Sequence, residues 1–231
     1  MKKLSVVFRM ILLVVLIGMS TTVNAQDWPN FNRYRSDNAK LELPKPGENR
    51  VVFMGNSITD FWINNCPEYF ADNNYIDRGI SGQTTPQMLV RFRADVVQLK
   101  PAVVTILAGT NDIAGNTGPS TLEMIADNIF SMAELAQANG IKVVLCSVLP
   151  AYDYPWKPGL NPAPKIVELN KMIKAYADAN NYIYLDYFSA MVDDRLGMKA
   201  EYSEDGVHPN KAGYEVMMPL CDQTIKKALK Q

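Results

Sequence analysis

The stretch "YSEDGVHPN", residues 202–210, holds the only histidine of the 231-residue chain. Any chemistry that needs an imidazole must therefore use His208. Asp205 stands three residues earlier with Gly206 between them, so carboxylate and ring can meet in one tight turn. A carboxylate on one ring nitrogen fixes the tautomer and stabilises the imidazolium, which leaves the other nitrogen to act as a base. A serine hydroxyl needs such a base, being a poor nucleophile near neutral pH without one. Ser57 in "MGNSITD" is the candidate. Acyl transfer also needs donors aimed at the developing oxyanion, each typically contributing about 3 kcal/mol. The backbone N–H groups of Ser57 and of Gly82 in "GISGQTT", with the side-chain amide of Asn111 in "AGTND", could supply them.

These residues are far apart in sequence, so the elements around them must bring them together. "RVVFMG", "YIDRGI", "AVVTILAG", "IKVVLCSVLP" and "YIYLDYF" are apolar runs rich in Val, Ile and Tyr. Each is too brief for a helix and too continuously apolar to face water, which is the pattern of buried parallel strands. Helical stretches separate them. Thr85-Pro86 offers an N-cap and a first-turn proline, and Ser120 with Glu123 offers a capping box for a helix ending at Asn139-Gly140. Further helices are expected from about Pro164 to Asn180 and from Asn210 to the C-terminus. The alternation predicts a three-layer α/β/α sandwich around a five-stranded parallel sheet over residues 50–231. In such sheets ligands bind beyond the C-terminal strand ends, which is where Ser57, Gly82 and Asn111 fall.

Taken in order, Ser57 in G-N-S-I-T, Gly82 in G-I-S-G-Q-T-T, Asn111 in G-T-N-D and Asp205/His208 in D-G-V-H-P resemble the four blocks of the SGNH hydrolases, also called the GDSL family. The likeness spans roughly residues 50–229. It implies a flavodoxin-like sheet topology, Ser57 as nucleophile, His208 as base and Asp205 as the acid that orients it. It implies an oxyanion hole from Ser57, Gly82 and Asn111, and no metal or organic cofactor. One departure is Asn56, where the family usually has aspartate; the triad acid comes from the D-x-x-H block, so the change bears on the hydrogen bonds of Asn56 itself. The wording of "RGISGQTT" and "GTND" is similar to the platelet-activating-factor acetylhydrolase-like branch, which fits small acyl groups and also admits a phospholipid. The second glycine of a G-x-S-x-G elbow is missing, which argues against the ordinary α/β-hydrolase fold.

Composition narrows the setting. Lys plus Arg number 23 against 24 Asp plus Glu, for a net charge of -1, so a nucleic-acid partner is disfavoured. "MKKLSVVFRMILLVVLIGMSTTVNA" has basic residues, a short apolar run and small residues before Gln26, the pattern of a secretory signal peptide cut after Ala25. The mature chain is then exported, periplasmic or extracellular, with no stable membrane insertion. Residues 26–49, polar and broken by Pro29, Pro44 and Pro46, are expected to form an N-terminal extension laid over the domain. Cys66, Cys146 and Cys221 form no C-x-x-C pair, and with one histidine they make no zinc pattern. An odd count leaves at least one free thiol, with Cys146 inside an apolar run.

The aromatic loop "AYDYPWKPGLNPAP" follows the fourth run. Tyr152, Tyr154 and Trp156 in it, and Trp62 in "TDFWINN", could either shape a substrate wall or simply pack. Asp112 is expected to brace its loop, and Arg78 to pair with a nearby carboxylate. The leading expectation is an exported serine esterase acting on short-chain acyl esters, chiefly O-acetyl groups of a carbohydrate. A lysophospholipase or thioesterase is the alternative within enzymes, and a non-catalytic sugar-binding domain the alternative outside them. A nucleotide binder is disfavoured because no G-x-G-x-x-G or phosphate-loop motif follows the first run.

Overall fold

The computed structural model describes residues 26–231. The leader read over residues 1–25 lies outside them. Five strands form where the apolar runs predict them: β1 (Val51–Gly55), β2 (Tyr75–Gly79), β3 (Val103–Leu107), β4 (Lys142–Cys146) and β5 (Ile183–Leu185). They pair in parallel throughout, in the order β2-β1-β3-β4-β5. Alternate residues of each strand point to opposite faces, and both faces are covered. Val52 and Met54 join a core with Met88, Ile129 and Ile166, while Val51 and Phe53 join a second core with Trp62, Tyr214 and Met217. The first core lies under α4 (Thr85–Asp95), α6 (Leu122–Gln137) and α7 (Pro162–Ala179), and the second under α2 (Ser57–Asn65) and α9 (Lys211–Ala228). This is the expected three-layer sandwich, with short helices α3 (Pro67–Ala71), α5 (Thr110–Ile113) and α8 (Phe188–Met191) in the connections.

The strand order sets where a ligand can sit. From β1 the chain steps out to β2 on one side and then to β3 on the other, so the connections leaving β1 and β3 diverge and open a crevice at the C-terminal edge. In register, Gly55 lies level with Gly79 and Leu107. The turns that follow these three residues carry Ser57, Gly82 and Asn111.

Several caps differ from the sequence expectation by one position. The N-cap of α4 is Thr84, whose capping box with Gln87 is complete, because the N–H and hydroxyl of Thr85 are taken by Asp112 at 2.9 and 2.6 Å. At α6 the cap is Thr121, accepting from Met124 N–H at 3.2 Å, rather than Ser120. Helix α7 starts at Pro162, two residues early, because Asn161 takes the left-handed conformation and makes the turn into it. Residues 26–49 hold an unforeseen helix, α1 (Asn32–Lys40). All three cysteines are buried free thiols, and among the described residues no helix is long and apolar enough to cross a membrane.

Candidate active site

Helix α2 begins at the end of β1. Asn56 is its N-cap and its side-chain oxygen accepts the N–H of Ile58 at 3.0 Å, a role an aspartate would fill equally well. Ser57 is thereby fixed as the first residue of the helix. Its Oγ lies 2.8 Å from Nε2 of His208.

The loop before α9 is shaped for its carboxylate. Gly206 sits at φ +77°, a region open to glycine at little cost, and folds the chain back on itself. Asp205 Oδ2 then lies 2.7 Å from Nδ1 of His208, while Oδ1 accepts the backbone N–H groups of Val207 and His208 at 2.9 and 2.8 Å. Burial would raise the pKa of Asp205, yet the hydrogen bonds from the His208 ring and backbone outweigh it and hold the carboxyl below its ordinary value. Ser203, which the sequence does not single out, lies 3.1 Å from Asp205 Oδ1 and 2.7 Å from the His208 carbonyl, with its hydroxyl as donor.

Gly82 adopts φ +79°, and a Cβ there would meet nothing within 4 Å, so its backbone fronts open space. Asn111 is buried and donates one N–H of its amide to the Gln83 carbonyl at 2.9 Å. Among the described residues, the backbone N–H groups of Ser57 and Gly82 have no hydrogen-bond acceptor in the protein. Each of the three residues thus keeps an N–H that no group among the described residues accepts. Asp112 accepts both the N–H and the hydroxyl of Thr85, bracing the loop as expected. Its burial pushes the carboxyl up to about 6.

The aromatic candidates separate into two groups. Trp62 is 1% exposed and packs between Tyr69 and Tyr214 with ring centroids 5.4 and 5.3 Å away, so it belongs to the core and cannot line a substrate wall. Tyr154 is also buried, its hydroxyl hydrogen-bonded to that of Thr110 at 2.9 Å, and it too is withdrawn as a contact. It supports Trp156, which stacks on it at 5.0 Å, is 44% exposed, and stands 6.0 Å from the His208 ring. Tyr152 is exposed beneath the guanidinium of Arg195, bordering an open groove of about 300 Å3 that reaches Asp205. Phe61, absent from the sequence expectation, is partly exposed and 5.3 Å from His208. Its signal was its spacing, since a residue four beyond Ser57 on a helix shares its face while the fifth, Trp62, turns inward. Arg78 binds the Asn38 side-chain oxygen at 2.9 and 2.7 Å rather than a carboxylate, because α1 brings an amide to it.

The model of the GDSL-like lipase/acylhydrolase family matches residues 53–216. Esterase TesA of Pseudomonas aeruginosa is 27% identical over 188 residues, 79% of this chain and 87% of that protein. An acetylxylan esterase of Xylanibacter ruminicola is 28% identical across 80% of this chain and 45% of its own length. Among solved structures, a GDSL-like lipase from Bacteroides thetaiotaomicron is 50% identical, with a TM-score of 0.86 over 87% of this chain and 100% of that one.

Proposed function

Since the chain belongs to the GDSL-like lipase/acylhydrolase family and is a carboxylic ester hydrolase, we propose that it removes short acyl groups, chiefly O-acetyl, from a carbohydrate by way of an acyl-enzyme on Ser57. The observation that carries this reading is the continuous hydrogen-bonded line from Ser57 through His208 to Asp205.

Ser57 Oγ attacks the ester carbonyl while its proton passes to Nε2 of His208. The carbonyl oxygen becomes an oxyanion facing the N–H groups of Ser57 and Gly82 and the free amide proton of Asn111. As the tetrahedral centre collapses, the C–O bond to the sugar breaks and His208 returns the proton to the departing alkoxide. Water then attacks the acyl-enzyme, giving a proton to His208, and as the second tetrahedral centre collapses the bond to Ser57 Oγ breaks, His208 returns that proton to Oγ and the acid leaves. Asp205, held ionised by its hydrogen bonds, balances the imidazolium in both halves.

Two features support a small acyl group on a sugar. The grooves bordering the triad, about 300 and about 260 Å3, are open and set Asp, Arg, Tyr and Asn side chains among Pro and Met, a mixed lining that suits a sugar ring, with its hydroxyl edge and apolar faces. Phe61 and Trp156 present exposed rings near the imidazole, where a pyranose could stack. Export by the leader over residues 1–25, leaving residues 50–231 as the hydrolase domain, is part of the same proposal and matches a polysaccharide substrate met outside the cytoplasm. The test compares acetate release from acetylated xylooligosaccharides with hydrolysis of p-nitrophenyl acetate, butyrate, octanoate and palmitate. Preference for the longest chains, with no acetate released from the sugar, would overturn the assignment.

A further inference from the structure

The oxyanion loop has an unusual anchor. Helix α1 is polar along its length and buries only Tyr34, so apolar packing does little to hold it. Polar contacts hold the 27–34 segment instead, and they converge on the residues either side of Gly82. On one side, the buried side-chain amide of Gln83 donates to the Pro29 carbonyl at 2.7 Å. The same residue offers its side-chain oxygen to Nε of the fully buried Arg91 at 2.6 Å and its backbone carbonyl to Asn111 at 2.9 Å. One turn further on, the Gln87 side chain donates to the Trp28 carbonyl at 2.8 Å. On the other side, Ser81 donates its hydroxyl and its N–H to Asp60 at 2.7 and 3.2 Å, and Asp60 is met by Arg33 at 3.3 Å. The segment is itself stiffened by Asp27, whose carboxylate accepts the N–H groups of Phe31 and Asn32 at 2.9 Å each.

Gly82 sits in a turn closed by the Gln83 N–H on the Ile80 carbonyl at 3.2 Å, and the Asn116 amide donates to the Gly82 carbonyl at 3.2 Å. Glycine enters positive and negative φ with similar ease and no side chain of its own packs here, so the aim of its N–H depends on the residues that hold this turn. Rotation of the peptide ahead of Gly82 would turn its N–H out of the crevice. We propose that residues 27–34 are a positioning strap for the oxyanion loop, with Pro29 and Arg33 holding Gln83 and Ser81 so that the Gly82 N–H keeps its aim. This rests on the reading of Gly82 as an oxyanion donor. The two anchors are unequal: the Arg33–Asp60 pair is single and its arginine 46% exposed, the kind of contact that contributes little. The buried Gln83–Pro29 bond is the principal one.

The test is the full chain carrying Gln83→Glu and Gln87→Glu, assayed on p-nitrophenyl acetate. Glu at 83 still accepts from Arg91 and Glu at 87 still caps α4, but neither can donate to the strap carbonyls. The expected result is a kcat lower by about tenfold, since a misaimed donor falls short of the 10²–10³-fold cost of a deleted one, with KM within about twofold and an unchanged titre of Ser57 reactive toward a fluorophosphonate. Unchanged kcat, a change confined to KM, or a kcat loss matched by the loss of reactive serine would each overturn the strap. If that variant does not fold, Asp27→Ala and Asp27→Asn decide: Asp27→Asn keeps an acceptor for the strap's own N–H groups at Phe31 and Asn32 and should recover most of the kcat lost in Asp27→Ala. Equal kcat in the two would overturn the proposal. Failure of the underlying esterase reading looks different, because the wild-type enzyme itself would then show neither Ser57 labelling nor turnover.

Discussion

The Ser57 hydroxyl lies 2.8 Å from Nε2 of His208 across 151 positions of sequence. That contact is over-determined. Asn56 fixes the start of α2, Asp205 grips the other ring nitrogen at 2.7 Å, and two backbone N–H groups hold Asp205. Hydroxyl, imidazole and carboxylate are therefore in line in the fold itself, and under the proposed mechanism the cost of assembling them falls on folding rather than on turnover.

Replacing Asp205 by Asn keeps the shape but offers His208 an amide donor, which favours the wrong tautomer. On p-nitrophenyl acetate kcat should fall about 10³- to 10⁴-fold with KM little changed. Steady-state kinetics on folded variant protein checks this, and a loss under tenfold would remove Asp205 from the mechanism. Because its pKa lies below the ordinary value, its stabilising contribution is present above the unfolded carboxyl range and is lost as pH falls through the folded one.

Ser57→Ala and His208→Ala act on one proton transfer, so their effects should not multiply. Each alone, and both together, should reduce kcat by a similar factor on the order of 10⁴ or more. A double variant much slower than either single one would show the two residues working independently.

Trp62 and Trp156 make a contrasting pair. Trp62→Ala should destabilise the fold by about 3–5 kcal/mol through a core cavity. Trp156→Ala should cost under about 1 kcal/mol in stability yet raise KM for an acetylated xylooligosaccharide about tenfold, leaving KM for p-nitrophenyl acetate within twofold. Urea melts and the two kinetic assays separate these outcomes, and equal KM effects on both substrates would argue against stacking.

Asp77 gives the fold a pH dependence. It is buried, accepts the Gly79 N–H at 2.8 Å and the Tyr34 hydroxyl at 3.1 Å, and its second oxygen has no partner. Burial pushes it up to about 7. A raised carboxyl contributes stability that is full below the unfolded value near 4 and is lost as pH climbs through about 7. Asp112, raised to about 6, acts in the same direction. Relative to Asp77→Asn, the wild type should thus lose stability on the order of 1–4 kcal/mol between pH 4.5 and 7.5, read from urea midpoints at the two pH values. A parallel pH dependence in both proteins would exclude Asp77 as the source.

Much of this was legible because burial on both faces forces a strand such as Val51–Gly55 to be continuously apolar, a pattern that local sequence displays directly. The candidate site residues stand out for a related reason: strand-end turns are short, so Ser57 and Asn111 follow their strands almost at once. Capping was less legible. Thr84 and Thr85 have the same chemistry, and only the approach of Asp112 from a distant loop decides between them. Helix α1 gave no periodic signal since polar contacts to Asp77, Arg78 and Asp95 hold it. The burial of Tyr154 beneath Trp156, likewise, follows from tertiary stacking that no spacing rule encodes.

The most direct test of the central claim is the intact mass and peptide map of the wild-type protein after treatment with a serine-directed fluorophosphonate. One adduct per chain is expected, on Ser57, with its near absence in His208→Ala. A folded wild-type protein that takes no label, or takes it on another residue, would contradict it.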